Sequence, residues 1–396
     1  MVKTSEPKQY FALVINCKGL FSKIHGAKAR FYGGRMKRRD FLKKAGVAAA
    51  GASLSPLMFA NAQKGKFSFG MVTSWPTGLD TIYGGALNTA RYLNELTDGD
   101  VEIEVFPAGA QVGGLEVYEA VSSGAFEMGH TAPYYYIGKN SAHAFFTAIP
   151  FGLNAQQQNA WLYTGNGQAL WDEVNALDNL KAFAAGNTGV QMGGWFRKEI
   201  NTIEDLDGLK MRIPGLGGKV MNKAGVNTQT LPGGEIYLAL ERGTIDATEW
   251  VGPYDDTIMG FHKVAQYYYA PGWHEPGPTL GAYMNLDVYN DLPADIQSAY
   301  QTAASRANAQ MLADYDAKNA EALKTIKADG KVQFRTFSKE ILGTLKGYMD
   351  ALHIEESTAN PLYAKVLNDW TAFKKDIQAF HKINEYAYLD YVIGGN

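Results

Sequence analysis

Three oxygen-bearing side chains sit near aromatic residues in glycine-rich stretches: Gln191 before Trp195, Glu249 before Trp250, and Glu275 after Trp273-His274. Carboxylate and amide oxygens suit a hard cation such as sodium or calcium better than zinc. The plainer use of each is as a hydrogen-bonded structural polar group. Arg212 lies in Leu209-Lys210-Met211-Arg212-Ile213-Pro214-Gly215, where strand alternation turns it away from Met211 and Ile213. A guanidinium there can grip a small acid through two parallel hydrogen bonds, or can form a surface salt bridge. Gly215-Leu216-Gly217-Gly218-Lys219 suggests a dinucleotide turn, but Val220 stands where G-x-G-x-x-G needs its last glycine. The sequence also lacks a P-loop, a G-x-S-x-G elbow and an H-E-x-x-H pair. These absences disfavour an enzyme and leave a secreted oxidoreductase or lyase as the alternative. Trp75, Tyr134, Tyr135, Tyr136 and Trp273 fit either a core or a ligand wall.

The elements that would position these residues read as α/β. Phe67–Met71 and Val101–Phe106 alternate as strands, with helical spacing over Thr81–Leu96 between them. An internal echo follows: Glu116-Val117-Tyr118-Glu119-Ala120 through Glu127 recurs as Glu235-Ile236-Tyr237-Leu238-Ala239 through Asp246. Each copy reads as a helix, a glycine that ends it (Gly124, Gly243) and a strand, Met128–Thr131 or Ala247–Val251. Two such units predict two lobes with a ligand cleft between them. Leu292–Ala328 is one long helix that starts at Pro293, reaches roughly 50 Å and crosses both lobes. Pro361–Tyr391 is a final helix with Val366, Trp370, Phe373, Ile377 and Phe380 on one face. That stripe packs on its own body or forms a homodimer.

Charge narrows the partners. The 396 residues carry a formal net charge of -3, but residues 1–62 hold twelve Lys/Arg and only Glu6 and Asp40 as acids. The remaining chain has 25 basic and 38 acidic residues, a net -13 that argues against nucleic acid. Lys37-Arg38-Arg39-Asp40-Phe41-Leu42-Lys43, the apolar Ala45–Ala60 and Ala60-Asn61-Ala62 make a twin-arginine leader cleaved before Gln63. Met36 begins that leader, so residues 1–35 read as an extension whose translation is left open. The only cysteine, Cys17, lies in the extension, so the exported chain has none, as suits an oxidising periplasm.

With these residues in view, a family resemblance emerges. Ile203-Glu204-Asp205-Leu206-Asp207-Gly208-Leu209-Lys210-Met211-Arg212-Ile213-Pro214, followed by Glu235–Ala247, resembles the solute-binding proteins of TRAP transporters, from about Lys66 to the last helix. Gly189–Phe196, Thr248–Pro253 and Trp273–Gly277 resemble the branch that binds 2-oxo acids such as pyruvate, or lactate, together with a metal ion. The resemblance implies a two-lobed periplasmic binding fold: residues 63–190 mainly in one lobe, 191–290 mainly in the other, 291–330 the spanning helix, and 331–396 a return segment and an extra C-terminal dimerisation helix. It also implies that Arg212 meets the substrate carboxylate. Sodium or calcium would be held by Gln191, Glu249, the Trp250 backbone oxygen and Glu275. Tyr134 and Tyr135 would line the opposite lobe, with Trp250 and Gln191 also at the substrate. The implied partners are TRAP permease subunits and a second copy of the chain. Many sugar-acid binders of this family carry a second arginine where this sequence offers Gln191 and Arg197, which favours a small monocarboxylate. A sensor accessory protein binding the same ligand is a further alternative.

Overall fold

Alternation over Phe67–Thr73 (β1) places Phe69 and Met71 in the core, and the strand pairs in parallel with Val101–Phe106 (β2) and Met128–Thr131 (β3). The helix expected between the first two is Ile82–Leu96 (α1). The computed structural model describes residues 67–394. The leader, the extension before it and Cys17 lie outside the described residues.

The other strands are Leu180–Asn187 (β4), Gly194–Phe196 (β5), Lys210–Arg212 (β6), Asn227–Gln229 (β7), Ala247–Thr248 (β8), Tyr267–Ala270 (β9), Thr279–Asn285 (β10) and Gln333–Thr336 (β11). They form two sheets, one per lobe: β2-β1-β3-β10-β4 and β11-β9-β5-β8-β6-β7. Strand β10 returns to the first sheet, antiparallel to β3 and β4. The main chain therefore passes between lobes at residues 188–193 and again at 271–278.

The internal echo supplies one unit to each sheet. Val117–Ser122 (α2) leads through Gly124 (φ 71°) into β3. Ala155–Tyr163 (α3), Gly167–Ala176 (α4) and Gly215–Lys223 (α5) intervene before Gly233–Glu241 (α6), which leads through Gly243 (φ 72°) into β8. Strand β8 stops at Thr248, short of the expected Val251. The reason is local: the Val251 N–H donates to the Asp256 carboxylate (3.2 Å) at the start of Pro253–Ile258 (α7).

After Leu286–Asp291 (α8), Ala294–Asp329 (α9) runs 36 residues, from Pro293 to a left-handed Gly330. At 1.5 Å per residue it reaches about 54 Å. It packs on α1 and β4 in one lobe and on α7 in the other. Ala303, Ala304 and Ala307 on its buried face let α1 approach closely. Among the described residues no helix is long and apolar enough to cross a membrane.

The C-terminal region contains Lys339–Ala359 (α10), Pro361–Ile383 (α11) and Glu385–Val392 (α12). The single helix expected over Pro361–Tyr391 is thus broken at Asn384 (φ -113°). Val366 and Trp370 are buried on the body, whereas α12 buries no residue and has no packing to carry the helix through Asn384. Phe380, Tyr386, Tyr388 and Tyr391 are exposed.

Three histidines tie stability to pH. Burial lowers the pKa of His130, His143 and His353 to about 4 each. Folded, they stay neutral where the unfolded chain would protonate near 6.5, so their contribution is present above that pH and is lost as pH falls towards 4. Between pH 7 and 5.5 the three together should cost about 3 kcal/mol of stability. Urea unfolding midpoints at the two pH values measure this, and His353→Gln should flatten the dependence.

Candidate functional site

The two crossing segments lie side by side. Gln191 N–H donates to the Glu275 carbonyl (3.1 Å), and Gly272 N–H donates to the Gln191 carbonyl (2.9 Å). A Cβ at position 272 would come within 2.2 Å of that carbonyl, so only glycine allows this approach. The pairing brings the Gln191 and Glu275 side chains together on the hinge, both buried.

The second lobe delivers the other two groups from adjacent parallel strands. Arg212 ends β6 opposite Thr248 of β8, and Glu249 follows. Arg212 is 1% exposed, so the surface salt bridge allowed by its spacing is not what forms. Its Nη1 pairs with the Glu249 carboxylate, Nε donates to the Leu231 carbonyl (3.3 Å), and Nη2 reaches the Tyr135 hydroxyl (3.4 Å). The guanidinium also lies 5.2 Å from the Trp250 ring centre. A buried charge needs such partners to offset lost hydration.

The electrostatics are unbalanced. Glu249 and Glu275 are both fully enclosed, and Arg212 answers one of them. Burial pushes the Glu275 carboxyl well above the usual range, and the charge of Glu249 adds to this. Arg212 opposes the rise without cancelling it. Both Glu275 oxygens and Gln191 Oε1 are buried without a hydrogen-bond partner, while Gln191 Nε2 donates to Thr188 (3.2 Å). Ligand atoms of Glu249, His274 and Glu275 come within 4.8 Å of one another. Orphaned oxygens converging beside a second buried carboxylate, where burial disfavours the charged form of Glu275, fit a hard cation that would stabilise that form.

Gln191, Arg212, Trp250 and Glu275 face a small, confined cavity between the lobes. Trp75, Tyr134 and Tyr135 line it from the first lobe, Arg212 and Trp250 from the second, and Gln191 and Glu275 from the hinge. Six of the seven residues expected at substrate or cation line this cavity, and the seventh, Glu249, is paired with Arg212 beside it. Trp273 does not line the cavity; its ring stacks on Phe151 (5.4 Å) behind the hinge. Sequence reasoning missed His274, whose Nε2 lies 3.4 Å from Glu249 Oε2, and Thr188 beneath Gln191. The adjacency of His274 to Glu275 was the available signal for the first.

Lobe contact is close. Gly215 (φ 64°) lies against Tyr134, and a Cβ there would be 2.4 Å from the ring. At the mouth of the cleft, Asp80 of the first lobe accepts from Tyr254 of α7 (2.9 Å) and from Lys318 of α9 (2.8 Å). Gly215→Ala combines a disfavoured backbone with this clash, so it should hold the lobes apart and lower ligand affinity about tenfold or more. Titration of the variant, with its melting temperature as a control, checks this.

Two α/β lobes with a small, charged, enclosed cavity on their hinge form a solute-capture receptor. The model of the bacterial extracellular solute-binding proteins, family 7 (DctP), matches residues 71–358, and the chain belongs to that family. A monocarboxylate 2-oxoacid-binding periplasmic protein of Nostoc sp. is 48% identical over 361 residues, covering 90% of this chain and 99% of its own length. A TRAP solute-binding protein of Bordetella bronchiseptica, a mixed-occupancy dimer with copurified calcium and picolinate, is 42% identical with a TM-score of 0.82. It covers 83% of this chain and 98% of its own. One from Pseudoalteromonas atlantica, with bound sodium and pyruvate, is 39% identical with a TM-score of 0.80, covering 82% and 99%. The chain is thus a transport receptor and not an enzyme.

Proposed function

We propose that this protein captures a small 2-oxo monocarboxylate such as pyruvate, or lactate, together with calcium or sodium, and delivers it to the membrane permease of a TRAP system. The observation that carries the reading is the joint burial of Arg212, Glu249 and Glu275 beside a small cavity between the lobes.

Gln191, Glu249, Glu275 and the Trp250 carbonyl would hold the cation. When bound, it neutralises the two carboxylates and offers the acid a second positive contact. Arg212 then turns its fork from Glu249 to the ligand carboxylate. Tyr134 and Tyr135 cover the ligand from the first lobe, and Trp250 closes the floor. The acid stabilises the closed form because it touches both lobes only there. A small monocarboxylate suits so confined a site, whereas a dicarboxylate would bring a second negative charge beside Glu249 and Glu275. Titration of the calcium-loaded protein with pyruvate, lactate and succinate tests this: micromolar or tighter binding of a monocarboxylate with weaker succinate is expected. Preference for succinate would overturn it.

Two finer readings belong here. The leader directs folded export through the twin-arginine route to the periplasm; replacing Arg38 and Arg39 by Lys should leave the precursor in the cytoplasm. The exposed Phe380, Tyr386, Leu389 and Tyr391 pair with the same residues of a second copy, for an isolated chain would leave this apolar face in water. The relative of Bordetella bronchiseptica is itself a dimer. Sedimentation should give a dimer that becomes a monomer on Leu389→Glu and Tyr391→Glu.

A further inference from the structure

The loop that carries Glu275 is braced from behind by a residue 223 positions away from the residue it touches. Phe151 has φ 58°, a left-handed conformation that is a genuine outlier for a bulky side chain. Such strain persists only where the surroundings over-determine it. Three contacts do so. Phe151 N–H donates to the Trp273 carbonyl (2.8 Å), its ring stacks on the Trp273 indole (5.4 Å between centres, 25° between planes), and its carbonyl accepts from Lys374 Nζ (2.7 Å).

Lys374 is held in turn. It sits on α11 with its ammonium 4.9 Å from the Trp370 ring centre, and burial lowers its pKa, with Lys346 adding to that effect. Trp370 is buried against Gly152, where a Cβ would come within 3.0 Å of the indole. Gln378, one turn further along α11, donates to the Gly152 carbonyl (3.4 Å). The segment behind the hinge is therefore fixed to the C-terminal helix by a charged donor and an aromatic wedge. From Trp273 the main chain reaches Glu275 in two residues.

We propose that Lys374 is a positioning residue for the cation site: by holding Phe151 in its left-handed conformation it sets Trp273, and through Trp273 the direction of the Glu275 carboxylate. Removing the ammonium lets Phe151 relax to an ordinary conformation, withdraws its N–H from Trp273 and loosens Glu275. This rests on the reading of Glu275 as a cation ligand. It adds that the C-terminal helix, outside the cavity, tunes the cation affinity.

The test titrates metal-stripped protein with calcium chloride alone, followed by pyruvate at saturating calcium. Lys374→Met keeps the aliphatic stem on Trp370 and removes the donor; it should weaken calcium binding about tenfold, as loss of outer positioning groups does at metal sites. Pyruvate affinity at saturating calcium should change less than twofold. Lys374→Arg restores a donor and should recover most of the calcium affinity. Phe151→Asn tolerates the left-handed backbone but loses the stack; it should weaken calcium comparably, and its combination with Lys374→Met should be less than additive. A lower melting temperature for Lys374→Met with unchanged calcium affinity would show a structural role only and overturn the proposal. If the unaltered protein gives no response to calcium, the cation reading itself fails, which is a separate outcome.

Discussion

Arg212→Ala should abolish pyruvate binding while leaving calcium binding intact or tighter. The arginine is 1% exposed and answers Glu249 directly, so its removal deletes the only cation of the site among the described residues. Truncating one partner of a desolvated charge pair costs about 2–5 kcal/mol, or roughly 30- to 5,000-fold in affinity. Glu249, relieved of its guanidinium, is more available to a metal ion, which explains the opposite sign for calcium. The free protein should be destabilised, since two enclosed carboxylates then face each other, and calcium should restore the loss. Arg212→Lys keeps the charge without the planar fork and should fall between, about tenfold weaker than the original. Titration of each variant with calcium and then pyruvate reads both signs. Unchanged pyruvate affinity in Arg212→Ala would remove the arginine from the carboxylate role.

The second large effect belongs to Glu249. Glu249→Gln keeps the shape and one oxygen but removes the charge that both a cation and Arg212 use. Calcium affinity should drop about 100-fold, in line with loss of a charged ligand and its orientation. Pyruvate affinity under saturating calcium should fall with it. Without metal the order reverses: Arg212 no longer has its internal carboxylate, so the variant should bind pyruvate better than the metal-free original does. That crossover separates a self-paired arginine from a merely weakened site. Variant and original showing the same dependence on calcium would contradict the role assigned to Glu249.

Much of this site was legible because strand alternation and local adjacency are short-range properties. Alternation alone turned Arg212 away from Met211 and Ile213, and it is buried on the cavity side. The repeated helix-glycine-strand unit announced two lobes, and its two strands do fall in different sheets. Long-range pairings were not legible. Nothing local indicates that β10 returns to the first sheet, because its seven residues are all buried and so lack alternation. Nor does the sequence around Gln191 indicate that its carbonyl meets Gly272. The stripe of the tail packs on the body as far as Ile377, but periodicity does not show where the supporting surface stops: Phe380 is exposed and the helix breaks at Asn384. Trp273 was offered as core or ligand wall, and which of the two holds depends on Phe151, distant in sequence and unusual in backbone conformation.

Cation dependence is the claim on which the whole account turns. Calorimetric titration of the metal-stripped protein with pyruvate, first in chelator and then with calcium or sodium added, measures it directly. Micromolar or tighter binding with a cation, and at least 100-fold weaker binding in chelator, is the predicted result. Equal affinity in both would contradict it, leaving the buried, unpartnered carboxyl of Glu275 unexplained.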